Sequence, residues 1–200
     1  MCANSDAMET VNKEYPEPSP LDETEKTEIL LKSIGRYDFY INTTNTKASL
    51  VLAINGLLVG TTLIRIEALL GSNTPLGYIR DAGIYLFAAF GILTVLSLYF
   101  TFKSFIPFFS SGELSSSLCP SIFFFRSVAS SRLDEFSARI KNLGKKECLD
   151  DLINQAHELA TGLDIKMTNL RRAIYTTFLN VLVLIILVIL RGYTFYGIGP

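Results

Sequence analysis

The sequence predicts an all-α membrane protein with three transmembrane helices, whose long cytoplasmic extensions form a helical stalk. Three observations support this fold class. Hydrophobic residues make up 49% of the 200 residues and charged residues 18%, whereas soluble domains carry about 25% charge. Three uncharged stretches reach the length of about 17–25 residues that crosses a bilayer. Two polar stretches that precede the spans have the apolar periodicity of amphipathic helices.

The N-terminal region divides into two parts. Residues 1–22 combine several prolines and carboxylates with few apolar groups, so we expect a disordered acidic tail. From Glu23 onward, residues spaced four and three apart fall on one helical face: Leu30, Ile34, Tyr37, Ile41, Thr44 and Ala48. Residues 23–47 are therefore predicted to form a cytoplasmic helix that continues directly into the first span.

The three spans are assigned to residues 48–70, 79–105 and 173–191. Their uncharged cores are Ala48–Ile64, Ala82–Phe102 and Ala173–Leu190. A turn is expected at 71–77 and a serine-rich loop at 110–121. Residues 106–172 are predicted to form a cytoplasmic loop and helical body, and residues 192–200 a short extracytoplasmic tail.

The helical body contains two further amphipathic patterns. Residues 121–126 (SIFFFR) are too few to span a membrane and predict a strand-like segment or an apolar surface anchor. Ser131–Asn142 is predicted to be a short amphipathic helix. A last helix begins near Lys146, and its apolar stripe comprises Leu149, Ala156, Leu163 and Leu170 with Ile153, Ala160, Met167 and Ile174. This stripe is expected to pack against residues 23–47 within one subunit, or to form a seam between subunits.

Basic residues near the spans predict the orientation. The N-terminal side carries Lys32, Arg36, Lys47, Lys103, Lys166, Arg171 and Arg172, and the other side carries Arg65, Arg80 and Arg191. This excess favours a cytoplasmic N-terminus, because positive charge accumulates in cytoplasmic segments.

Polar residues inside the spans indicate how the helices pack. Asn55 and Asn180 each lie seven residues into a span that enters from the same side, so their amides should lie at similar depth. We expect both to face the bundle or an oligomer interface, where they fix helix packing or line a polar path. Gly56 and Gly60 form a GxxxG pattern that favours close helix packing. The hydroxyls of Thr61, Thr62, Thr176 and Thr177 are expected to bond their own helix backbone.

Catalytic chemistry is not expected. The single histidine, His157, lacks the partners of a nucleophilic or metal site, so we predict no enzyme, no metal and no cofactor. The net charge of −1 excludes a strongly basic nucleic-acid binder. Basic residues of the helical body could bind a phosphate or could simply form a solvated face; they include Arg126, Lys166 and Arg171.

Three motifs in a fixed order resemble a known family. They are residues 29–58, with Asn45, Lys47 and Asn55-Gly56; residues 121–130 (SIFFFRSVAS); and residues 152–174, with Gln155, Lys166 and Arg171. Together they resemble the membrane-spanning effectors of bacterial Pycsar anti-phage systems, over residues 29–190. Family members usually carry a glycine and an acidic residue where Phe125 and Arg126 stand.

The resemblance implies a dormant effector that senses a cyclic nucleotide from a partner cyclase and then impairs the inner membrane, causing abortive infection. A cyclic pyrimidine monophosphate is the implied ligand, although related systems leave its identity open. The candidate contacts are Arg126, Lys166 and Arg171. The other expected partners are the lipid bilayer and further copies of the chain. The alternative is a constitutive membrane scaffold or channel subunit without a nucleotide ligand.

Overall fold

The computed structural model describes residues 21–65, 77–106 and 121–195. Its regular elements within these ranges are the helices α1 (Glu23–Ile64), α2 (Gly77–Phe105), α3 (Phe125–Ser130), α4 (Leu133–Asn142) and α5 (Lys145–Phe195). The predictions for residues 1–20, for the turn at 71–76, for the loop at 110–120 and for residues 196–200 lie outside the described ranges.

Helices α1, α2 and α5 are long and apolar enough to cross a membrane, which confirms the three predicted spanning helices. Helix α1 has 42 residues and α5 has 51, so they extend about 63 and 77 Å. A hydrocarbon core is only about 30 Å thick. In both helices, the polar first half and the apolar second half therefore belong to one continuous element.

Helix α5 packs against both α1 and α2. Contacts of α1 with α5 join Asn45 to Lys166 and Asn55 to Thr177, so these two helices run parallel. Contacts of α2 with α5 join Ser104 to Lys166 and Thr94 to Asn180, so α2 runs antiparallel to α5. The three long helices form a bundle.

Only one of the two rows of the predicted apolar stripe of α5 is buried. Leu149, Ala156, Leu163 and Leu170 are buried as predicted. The second predicted row is not, because Ile153, Met167 and Ile174 are 48%, 50% and 45% exposed. The row three residues further on is buried instead, and it contains Leu152, Lys166, Ala173, Asn180 and Leu187. Residues three and four positions after the first row are both its neighbours on the helix surface. The buried row contains a lysine and an asparagine, so a search for apolar periodicity does not detect it.

Helix α2 turns its polar side inward. Its buried residues include Thr94, Ser97, Thr101 and Ser104, whereas Ile92, Val95 and Phe102 are more than half exposed. This arrangement suits a lipid environment, where apolar side chains face the acyl chains and polar side chains bond between helices. The surface of the second span therefore supports its assignment to the membrane.

Small residues bring α1 and α5 together. Ala48 and Ala173 are both fully buried, and they form a core cluster with Val51 and Leu170. The GxxxG pattern has no such contact, because a Cβ atom added at Gly56 or Gly60 would meet nothing within 4 Å. The described helices of one chain therefore approach each other at the alanines.

The segment at 121–126 is not a strand, so that predicted alternative is wrong. Residues 121–124 are irregular and α3 begins at Phe125. Ile122 is buried, and its backbone N–H donates to Asp151 Oδ2 of α5 at 2.6 Å. A side chain on another helix, rather than a neighbouring strand, satisfies this backbone group.

Alanine substitutions at the neighbouring residues Leu152 and Ile153 test which face of α5 is buried. Leu152 is 1% exposed and Ile153 is 48% exposed. We expect Leu152→Ala to lower the free energy of unfolding by about 2–5 kcal/mol, because it leaves a cavity. Ile153→Ala should cost about 0.5 kcal/mol or less. Thermal unfolding of the detergent-purified variants measures both, and equal losses would contradict this assignment of the buried face.

Candidate functional site

The first polar cluster lies where the three long helices meet inside the predicted spans. Asn55 Nδ2 of α1 shares its two hydrogens among three acceptors: the backbone oxygen of Val51 at 2.9 Å, Ser97 Oγ of α2 at 3.0 Å and Thr177 Oγ1 of α5 at 2.9 Å. The Ser97 and Thr177 hydroxyls are 2.6 Å apart. One amide and two hydroxyls thus link all three helices.

A second amide lies one helical turn away. Asn180 Nδ2 of α5 donates to Thr94 Oγ1 of α2 at 2.8 Å. The Thr94 hydroxyl in turn donates to the backbone oxygen of Phe90 at 2.8 Å. Thr94 and Ser97 are three residues apart on α2, so the two amides occupy consecutive levels of the bundle.

These partners determine which way each amide faces. The carbonyl oxygen of Val51 can only accept a hydrogen bond, so the nitrogen of Asn55 must point toward it. The hydrogen of the Thr94 hydroxyl is committed to Phe90, so Thr94 accepts from the nitrogen of Asn180. Consequently the side-chain oxygen of each asparagine points away from these partners.

Those two oxygens have no hydrogen-bond partner among the described residues. Asn55 Oδ1 and Asn180 Oδ1 are both buried, and both residues are 0% exposed. A buried acceptor without a donor costs about 1–3 kcal/mol. Groups of this kind are rare in native structures, and an ordered water or a bound ion is one way to satisfy them.

The second polar cluster surrounds Lys166 at the end of the spans that is nearer the N-terminus of α1. Lys166 Nζ donates to the backbone oxygens of Ser104 at 2.8 Å and Phe105 at 3.3 Å, and to Asn45 Oδ1 at 3.3 Å. Ser104 and Phe105 end α2, where carbonyls lack partners within the helix. The ammonium group therefore caps α2 from α5 and also contacts α1.

Lys166 is unusual because it is a buried cation, with 6% of its surface exposed. No carboxylate forms an ion pair with it in the described ranges 21–65, 77–106 and 121–195. Burial lowers the pKa of Lys166 from its ordinary value of 10.5. Neutral oxygens alone compensate the loss of water around this charge, which makes Lys166 a candidate functional residue.

The three candidate ligand contacts do not form one site in this structure. Lys166 is buried, whereas Arg126 and Arg171 are exposed. Arg171 lies five residues after Lys166, so it points about 140° away around α5. The segment that carries Arg126 is held at Asp151 by Ile122, and Asp151 lies about 22 Å from Lys166 along the helix.

The residues that carry the family resemblance differ in their burial and contacts. Asn45 meets Lys166, as described above. Lys47 is exposed and Gln155 is partly buried. Arg171 is exposed. The adjacent Arg172, which is not one of the matched residues, is exposed too, and its guanidinium lies 5.8 Å from the ring centroid of Phe100.

Sequence reasoning missed the hydroxyls of the second span. Thr94, Ser97, Thr101 and Ser104 recur at spacings of three, four and three, which is the signal that would have revealed a polar face. The prediction for Thr177 is wrong, because its hydroxyl contacts Asn55 and Ser97. The prediction holds for Thr61, Thr62 and Thr176, which bond their own backbone.

A double-mutant cycle tests the contact between Asn180 and Thr94. We expect Asn180→Leu and Thr94→Val to be coupled by about 0.6 kcal/mol, and at most about 1.7 kcal/mol, as for hydrogen bonds between transmembrane helices. Thermal unfolding of both single variants and the double variant measures the coupling. Asn180→Leu combined with Thr61→Val, an exposed position, should be additive; the same additivity with Thr94→Val would rule the contact out.

The lowered pKa of Lys166 predicts a pH dependence of stability. Between the lowered pKa and 10.5, the unfolded chain binds more protons at this position than the folded chain. The free energy of unfolding contributed by Lys166 should therefore rise with pH in that interval. Unfolding of wild type and Lys166→Met at several alkaline pH values measures it as a difference. Parallel pH curves for the two proteins would contradict a lowered pKa.

Comparison with known proteins identifies the family. A family model described as the Pycsar effector protein domain matches residues 29–192. No curated protein and no solved structure matches the chain. The match covers all five helices apart from the first six residues of α1 and the last three of α5. It confirms the resemblance seen in the sequence motifs, and the chain belongs to the Pycsar effector family.

Proposed function

We propose that this multi-pass anti-phage effector responds to a cyclic nucleotide by impairing the bacterial inner membrane, which causes abortive infection. Membership of the family supports the defence role and a cyclic nucleotide signal from a partner cyclase. The membrane lesion and the response of this chain to the nucleotide are our proposal. A cyclic pyrimidine monophosphate is the proposed ligand.

The observation that carries the proposal is the continuity of α5. This single helix begins in the polar half at Lys145 and reaches the intramembrane amide at Asn180. A ligand on the polar half therefore contacts the same rigid element that binds α1 and α2 inside the span. Such a ligand can shift the bundle between two states if it binds them with different affinity.

The polar halves of α1 and α5 are proposed to lie in the cytoplasm, where a cyclase would release its product. Arg126, Lys166 and Arg171 are the proposed phosphate contacts. Because they lie at different levels of this structure, nucleotide binding to all three requires a rearrangement. The described state is accordingly proposed to be the dormant one, and the chain is proposed to act without catalysis.

Apolar surface outside the spans supports a homo-oligomer. Ile153 and Met167 on the polar half of α5 are about half exposed, and Leu133 of α4 is 82% exposed. Ile153 and Met167 lie on one face of α5, two heptads apart, and such an exposed apolar row suits a contact with another helix. A second copy of the chain is the proposed partner.

Membrane-potential measurement tests the proposed function. Bacteria that express the chain with an active pyrimidine cyclase should depolarise, and cells with an inactive cyclase should not. Arg171→Gln should raise the nucleotide concentration for half-maximal response roughly 10- to 150-fold, because a hydrogen bond to a charged group contributes ~1.5–3 kcal/mol. Arg172→Gln, at the neighbouring position, is the control for effects on membrane topology.

The alternative function, a constitutive membrane scaffold or channel subunit, makes a different prediction. Its effect on membrane potential would not depend on the cyclase. Absence of depolarisation with every cyclic nucleotide supplied would rule out the proposed effector mechanism. The amount of protein in the membrane fraction must be equal in all strains compared.

A further inference from the structure

The buried oxygens of the bundle form a line along α2. Ser104 and Phe105 lie at one end with Lys166, and Thr94 lies at the other end, with Ser97 one turn before it. From residue 104 to residue 94 this line covers about 15 Å, which is half of a hydrocarbon core. The lining groups are amides, hydroxyls and backbone carbonyls, all of which are neutral.

A cation already occupies one end of this line. The ammonium group of Lys166 is bonded to three neutral oxygens, at 2.8, 3.3 and 3.3 Å. It is a monovalent cation tethered to α5 in a site made only of oxygen ligands. Carbonyl oxygens that replace the hydration shell are also how proteins bind permeating monovalent cations.

The other end of the line offers oxygens of the same kind without a partner. Asn55 Oδ1 and Asn180 Oδ1 are fully buried and receive no hydrogen bond in the described part of the chain. The neighbouring hydroxyl hydrogens already have acceptors, since Thr94 donates to the backbone oxygen of Phe90, Ser97 to that of Ala173, and Thr177 to the Ser97 hydroxyl. The amide cluster thus has more acceptors than donors, which suits a cation or the hydrogens of its water shell.

We propose that the conducting route of this effector runs through the core of each three-helix bundle. Asn55 Oδ1 and Asn180 Oδ1 bind a monovalent cation there, and Lys166 closes the cytoplasmic end as a tethered competitor. This inference rests on the proposed function and adds the route, the ion class and the closing residue. An anionic ligand that draws Lys166 out of its oxygen site would remove the competing charge.

Buried groups lie on both sides of the amide cluster. Beyond the amides, Phe90 lies one turn past Thr94 on α2, and Leu187 lies seven residues past Asn180 on α5. Both are buried, at 5% and 3% exposure. Apolar side chains at such positions slow the passage of water and ions. Lys166 on one side and these two side chains on the other therefore flank the amide cluster.

The oxygen atoms along this line favour a monovalent cation over a divalent one. Ca²⁺ and Mg²⁺ sites are usually built with carboxylates as well as neutral oxygens. The described residues of this line contribute neutral oxygens alone, together with one positive side chain. A divalent ion would have to surrender its water shell without a compensating negative charge.

Potassium flux into vesicles tests the inference without any nucleotide. Purified Lys166→Met in vesicles with a K⁺ gradient should pass K⁺ about tenfold faster than wild type, because a like charge at close range is removed. Lys146→Met, an exposed lysine of the same helix, should behave as wild type. Adding Asn55→Leu and Asn180→Leu to Lys166→Met should return the flux to the wild-type level, and Thr61→Leu should not.

Three results would overturn the inference. They are flux through Lys166→Met no faster than through Lys146→Met, flux that survives both leucine substitutions, and a reversal potential that follows chloride instead of potassium. The cellular experiment distinguishes this failure from failure of the proposed function. If wild type depolarises cells with a cyclase and the Asn55→Leu, Asn180→Leu protein does so equally, the effector function stands and the route lies elsewhere.

A second measurement covers the case in which Lys166→Met folds poorly. Wild-type protein in detergent should unfold at a higher temperature in KCl than in choline chloride of equal ionic strength, because a bound ion stabilises the folded state. The Asn55→Leu and Asn180→Leu variants should lose this difference, whereas Thr61→Leu keeps it. Identical unfolding temperatures of wild type in the two salts would contradict the cation site.

Discussion

The structure depends on one constraint, which is that polar side chains inside the membrane must find their partners on other helices. Lipid offers no hydrogen bonds, so the Asn55 amide, Ser97 and Thr177 have to meet. That requirement sets the rotation of α1, α2 and α5 about their axes. It also explains why α2 buries Thr94, Thr101 and Ser104 while Ile92, Val95 and Phe102 face outward.

Lys166 extends the same constraint to the membrane boundary. Its burial is costly, and an apolar residue of similar size could pack there without a charge. The lysine nevertheless caps the carbonyls of Ser104 and Phe105 and reaches Asn45. One side chain therefore joins the polar halves of α1 and α5 to the end of α2. A charge at this position therefore connects the polar halves of α1 and α5 to the membrane-spanning part of the bundle.

Much of the fold follows from the sequence, and much of the site does not. The three spanning helices, the buried row from Leu149 to Leu170 and the family were all predictable. The second row on α5 was predicted one position too far along, at Met167 in place of Lys166. The GxxxG pattern suggested close packing at Gly56 and Gly60, but the alanines Ala48 and Ala173 provide it in the described helices.

The sequence by itself determined helix length, apolar content and the amphipathic stripes, because these depend on residues close together in the chain. Tertiary structure decided which of two adjacent rows faces a neighbour, since spacings of three and four border the same stripe on a helix. It also decided which hydroxyl meets which amide and where the ammonium group of Lys166 binds. Those contacts join residues 42 to 122 positions apart, and no local pattern specifies a partner at such a distance.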